Sequence, residues 1–128
     1  MDDRVIGIGG IFFKAKNKDQ LLAWYRQHLG VDVQDWGGTT FEGKGQTVWS
    51  VFKQDSDYFG SGSQRYMINY KVSSLAGILA RLKDEGVTVD AHVEESEFGK
   101  YGWILDPEGN RIELWEPPPS ASLGTIGG

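Results

Sequence analysis

From Val5 to Ala15 the chain runs through Ile6, Ile8, Ile11, Phe12 and Phe13 around Gly9 and Gly10, an apolar stretch of strand length. At Asn17 the period changes. Leu21, Leu22, Tyr25 and Leu29 recur at helical spacing, Asn17 stands in a capping-box relation to Gln20, and Gly30 is placed to end the helix. Strands are expected next near residues 31–36, 39–41 and 46–53, parted by Gly37-Gly38 and by the glycines of 43–45. The polar stretch QDSDYFGSGSQ, residues 54–64, reads as a linker or mobile loop.

Then the order repeats. Residues 66–72 form a strand, Ser73 or Ser74 caps a second helix, and Leu75, Ile78, Leu79 and Leu82 make its apolar stripe up to Gly86. Strands near 87–93, 100–105 and 111–116 follow. The last two are joined by a tight turn that Asp106 and Pro107 open and Gly109 closes. Met67 follows Gly10 by 57 residues (67 − 10), and the same offset matches Leu22 with Leu79 and Ala23 with Ala80. Each half reads strand–helix–strand–strand–strand. The pattern predicts an α+β domain over residues 1–117, made of two βαβββ modules (about 5–53 and 65–117) with a loosely held tail over 118–128. Each helix covers one sheet face, and the two free faces, brought together, enclose a cleft.

Composition narrows the partners. At 128 residues, with 39% hydrophobic and 24% charged positions, the chain has the make-up of a single soluble domain. No apolar run reaches the roughly 18–20 residues that span a bilayer, and the first residues lack the form of a signal peptide. There is no cysteine, so disulfides and thiolate metal sites are excluded, and a cytoplasmic location is the simplest expectation. A net charge of −5 argues against nucleic acid and suits neutral or cationic small molecules. Five tryptophans in a chain this short supply material for a core or for a flat-walled pocket.

The chemistry gathers on the last strand, where Ile112 and Leu114 alternate with Arg111, Glu113 and Trp115. An inward carboxylate is costly unless it meets a cation, a metal or a ligand. A structural partner for Glu113 among Arg111, Lys71 and Arg65 is the competing reading.

These segments resemble the vicinal oxygen chelate superfamily of glyoxalase I, extradiol dioxygenases and bleomycin resistance proteins. The resemblance is carried by LLAWYRQHLGV (residues 21–31), INYKVSSLAGILARLKDEGV (68–87) and DPEGNRIELWEP (106–117). It implies two βαβββ modules whose curved mixed sheets enclose a shared cavity, the glyoxalase/bleomycin resistance-like fold. Metal-using members place His on the first strand of each module and Glu on the last. Glu113 fills the third position, but the other two fall on Gly10 and Met67, neither a ligand for an oxygen-preferring metal. His28 reads as a surface or helix-end residue, and His92, on an expected strand, as a hydrogen-bonding pocket residue ahead of a metal ligand.

Strand alternation then selects an aromatic box of Phe12, Trp49, Met67, Tyr101, Trp103 and Trp115, with Asn69 and Glu113 as polar handles. The expected function is metal-independent binding of an aromatic or cationic small molecule, without a cofactor, in a homodimer that takes neither nucleic acid nor membrane. The alternatives are a metal-dependent lyase, isomerase or dioxygenase with a divalent metal at Glu113, metal-free catalysis with Glu113 as general base, or a fold that serves association alone.

Overall fold

A computed structural model describes residues 3–43, 45–60 and 63–119. The first module holds β1 (Val5–Ala15), α1 (Lys18–Leu29), β2 (Gly38–Phe41) and β3 (Thr47–Lys53). The second holds β4 (Tyr66–Val72), α2 (Leu75–Asp84), β5 (Val89–Ser96), β6 (Gly99–Leu105) and β7 (Arg111–Glu116). The expected tail lies outside the described residues apart from Pro118 and Pro119.

The local signals act as their chemistry requires. Asn17 Oδ1 accepts the Gln20 N–H at 3.0 Å, and Ser74 Oγ accepts the Gly77 N–H at 3.1 Å, each satisfying a donor that a helix start leaves free. The Gly30 N–H bonds back to the Tyr25 carbonyl and ends α1. In the β6–β7 turn the Asp106 carbonyl accepts the Gly109 N–H, and its Oδ1 accepts from Glu108 and Asn110.

One expected strand is absent. Residues 31–34 have no regular structure and 35–36 form a turn, with the Gly37 N–H bonded to the Gln34 carbonyl and the Gln34 N–H to that of Gly38. Gly37 has φ +97°, a conformation that turns the chain at once and leaves no ladder to extend. Val33 still buries itself against Ala15, Leu22 and Val51.

Seven strands make one mixed sheet in the order β2-β3-β1-β4-β7-β6-β5. β1 pairs in parallel with β3 and β4 with β7, while β1 and β4 run antiparallel and join the modules within one chain. Under α2, Val72, Leu75, Ile78, Leu79 and Leu114 form one core cluster; under α1, Ala15, Leu22, Val33 and Val51 form another. The third cluster lies on the opposite sheet face and joins Phe12, Phe59, Met67 and Trp103.

Phe59 comes from the stretch expected to be a linker or mobile loop, yet it is only 1% exposed. Phe59 therefore belongs to the core, with Tyr58 packed half-buried against it, while Gln54, Asp55 and Asp57 stay exposed; the aromatic pair covers area that the cleft face would otherwise leave wet. Residues 61 and 62 of that stretch lie outside the described residues.

The β1–β4 register shifts between Ile8 and Gly10, which lays Gly9 beneath the second module. A Cβ on Gly9 would stand 2.0 Å from Asn69 Oδ1 and 2.8 Å from Trp115 Cε3. Glycine here makes room for two side chains. Gly9→Ala is expected to lower unfolding free energy by about 1–3 kcal/mol. Gly7→Ala, where a Cβ meets nothing within 4 Å, is the control and should change it by under about 1 kcal/mol. Urea denaturation of both variants checks the contrast.

Candidate functional site

Strand register assembles the site as a row. Gly10 on β1 lies between Val48 on β3 and Asn69 on β4; Asn69 faces Glu113 on β7, which faces Trp103 on β6. Since paired residues point to the same sheet face, one alternation phase sets all of these side chains on the cleft side.

Glu113 is 1% exposed, and its carboxylate is held by three donors. Oε1 accepts the Tyr58 hydroxyl at 2.5 Å and the Trp103 indole N–H at 3.0 Å, and Oε2 accepts the Asn69 amide at 2.6 Å. Burial raises the Glu113 pKa, and the three hydrogen bonds, with Arg111 nearby, act against that rise. Burial and the adjacent Glu113 charge together raise the Tyr58 pKa far above the usual phenol range, so its proton stays in place as a donor. Tyr101 is pushed up to about 12, first by burial and then by Glu113 and Glu94. None of Arg111, Lys71 or Arg65 pairs with Glu113. Arg111 instead reaches Asp90 at 3.2 Å, donates to the Tyr58 carbonyl at 3.1 Å and lies 5.2 Å from the Trp103 ring. Lys71 sits over the Trp115 ring.

Tyr58 stacks on Phe52 at 5.3 Å and meets the edge of Trp103 at 5.9 Å, so the segment before β4 closes over the carboxylate. Beside it opens a cavity of about 320 Å³, lined among others by Phe59, Gln64, Thr88, Asp90, Trp103 and Arg111. The buried Trp103 borders it, and Glu113 does not.

Of the residues expected to line the cleft, Phe12, Met67, Asn69, Trp103, Glu113 and Trp115 are buried, and Tyr101 is half-buried. Phe12, Met67, Trp103 and Tyr101 meet in one cluster; Tyr101 also stacks on Trp115, whose indole donates to the Phe98 carbonyl. Trp49 is a correction. It packs on the helix side against Tyr25 and Phe13, with Val51 on the same face, because β3 has the opposite phase to that expected. Val48 and Phe52 take the cleft side instead. Tyr58 and Phe59 escaped the sequence reading altogether; an aromatic pair inside an Asp, Ser and Gly stretch was the available signal. His92, exposed, stacks on Trp103 at 5.7 Å and meets Glu94 at 3.1 Å.

Residues 10–115 match the family described as a glyoxalase-like domain. The chain belongs to that family. With its fold, this sets it in the vicinal oxygen chelate superfamily. The glyoxalase-like chain is similar to the methylmalonyl-CoA epimerase of Mycobacterium tuberculosis, at 20% identity and TM-score 0.67, with 95% of each chain covered. It also resembles the Streptomyces coelicolor methylmalonyl-CoA epimerase (14%, TM-score 0.65, 89% of this chain and 99% of that one). A third likeness is to the 2,3-dioxygenase LapB of Pseudomonas sp. KL28 (19%, TM-score 0.64, 91% and 42%). At these identities the likeness is one of fold. No curated protein sequence matches.

The residues of this glyoxalase-like chain do not fit a divalent metal at Glu113. A Cβ on Gly10 would lie 2.8 Å from the Phe12 ring and 2.9 Å from the Val48 carbonyl, so a side chain there has no room. Met67 is enclosed in the aromatic cluster. The donors around Glu113 present hydrogens, which suit an anion and repel a cation. Among the described residues no three His, Asp or Glu side chains come together as a metal set.

A raised carboxyl pKa has a testable consequence. Between the ordinary value of 4.5 and its folded value, Glu113 binds its proton more tightly in the native state than in the unfolded chain. Native stability from this group therefore falls as pH rises through that window. Glu113→Gln removes the titration, and the unpartnered buried Oδ1 of Asn69 can turn to accept its amide. Denaturant unfolding between pH 4 and 8 should show the variant gaining on the parent chain as pH rises above about 4.5, then levelling off.

Proposed function

We propose that this chain is a metal-independent binding protein that takes an aromatic or cationic small molecule into the cavity beside Trp103. The observation that carries the reading is the saturation of Glu113 by Tyr58, Asn69 and Trp103, which spends on the protein itself the carboxylate that a metal would use. What remains for a ligand is a cavity whose wall carries a few polar groups, Gln64, Thr88, Asp90 and Arg111, over Phe59 and Trp103, each only 1% exposed. Gln64 has its amide committed to the backbone of Tyr66 and Arg111, so it fixes the wall. Asp90 is ionised, its carboxyl held below the usual range by the His92 N–H and by Arg111. A flat cation can enter the cavity beside the covered Trp103 and share Asp90 with Arg111. The acidic balance of the chain raises the local concentration of such ligands. The function is sequestration, with no bond made or broken.

Proflavine, a planar aromatic cation, is a suitable probe. Calorimetry should give saturable binding that Thr88→Phe, which obstructs the cavity mouth, weakens by about tenfold or more, one lost cavity contact being worth about 1–3 kcal/mol. Manganese or zinc should leave it unchanged. Equal affinity in the obstructed variant, or affinity that appears only with metal, contradicts the reading.

The partner reading is a homodimer. Val5, Ile8 and Ile11 of β1 remain exposed on the helix-side face between the modules, where a second copy would cover them. Ile11→Asp should then convert dimer to monomer in sedimentation velocity, and a monomeric parent chain would overturn this reading. No helix among the described residues is long and apolar enough to cross a membrane.

A further inference from the structure

At the start of α1, away from the Trp103 cavity, lies a hollow of about 560 Å³ bounded by Lys14, Lys16, Arg65, Leu21, Trp24 and Tyr25. Its chemistry is opposite to that of the chain as a whole. The protein carries 18 acidic and 13 basic residues, yet this hollow is bordered by Lys16, Arg65 and the stem of Lys14, whose ammonium reaches the cleft face, and by no carboxylate. None of the three makes an ion pair among the described residues. Lys14 has only an aromatic partner, its Nζ standing 5.2 Å from the Phe59 ring. Lys16 and Arg65 thus border one hollow with no carboxylate beside them, and a bound anion would supply the missing partner.

The aromatic part of the hollow is also unexplained by packing. Trp24 is 48% exposed although it lies on an otherwise folded helix. It meets Tyr25 edge to face at 5.2 Å and His28 at 5.2 Å, which fixes the indole while leaving part of it open to solvent. Tyr25 in turn is anchored by Trp49 at 5.1 Å and Phe13 at 6.3 Å. A held, half-open indole beside unpaired cations can stack a flat ring while the cations take its charge.

We propose that this hollow binds a small aromatic phosphate, the ring against Trp24 and the phosphate between Lys16 and Arg65. Phosphate suits the place better than a neutral ligand because two cations meet a group that carries up to two charges and several acceptor oxygens. The site is independent of the cavity beside Trp103, which holds a balanced Asp90–Arg111 pair and suits the opposite charge.

The probe is phenyl phosphate, followed by amide chemical shifts of the ¹⁵N-labelled protein, with inorganic phosphate and benzyl alcohol as comparators. Saturable shifts are expected at residues 14–25 and 65. Inorganic phosphate should bind about threefold or more weakly for want of the ring. The double variant Lys16→Ala/Arg65→Ala should bind phenyl phosphate about tenfold or more weakly. Added KCl should weaken binding to the parent chain. The double variant keeps its proflavine affinity and an otherwise unchanged amide spectrum, which separates loss of this site from loss of fold. Equal binding of benzyl alcohol and phenyl phosphate, equal binding by the double variant, shifts confined to other segments, or no saturation would each overturn the proposal.

Discussion

A carboxylate sealed from water has to be answered, and most of this structure follows from how Glu113 is answered. Leaving it ionised without partners would cost more than the whole fold is worth. A metal is one solution and a paired arginine another. Here the answer is a set of neutral donors on three different segments: Tyr58 ahead of β4, Asn69 on β4 and Trp103 on β6. Each bond ties a different part of the sheet to β7, so the site and the fold are held by the same contacts.

The consequences run outward from that row. Gly9 leaves the room that the Asn69 amide oxygen takes while the amide nitrogen donates to Glu113, and the β1–β4 register shifts beside it. Trp103 presents its indole N–H inward to Glu113 and borders the neighbouring cavity while staying buried, so the interior and the cavity share one side chain. Tyr58 seals the carboxylate and hands its carbonyl to Arg111, which in turn holds Asp90 at the cavity mouth. The glyoxalase-like fold is thereby retained around a centre that has the chemistry of a hydrogen-bonded core.

The two-module architecture was legible because it rests on short-range signals. Asn17, Ser74 and the Asp106 turn act within a few residues of themselves, and the 57-residue offset made the repeat visible. Glu113, Trp103, Asn69 and Met67 could be set on one face by alternation, since their strands hold register across β4, β7 and β6. Trp49 could not, because a shift of one residue inverts a strand and β3 has apolar side chains on both faces. The strand expected at 31–36 failed against the turn that Gly37 permits. Tyr58 was hidden for a different reason. Its partner lies 55 residues away, and no local pattern reports a contact of that range.

The central claim is that the Glu113 carboxylate is satisfied by protein donors and has no place for a metal ion. Carbon-13 NMR of the glutamate side-chain carboxyls, with the Glu113 signal assigned by its disappearance in Glu113→Gln, tests this at the atom concerned. With paramagnetic manganese(II) added at one equivalent, the Glu113 signal should remain as sharp as in its absence. Selective broadening of that signal, saturating at one ion per chain, would contradict the account.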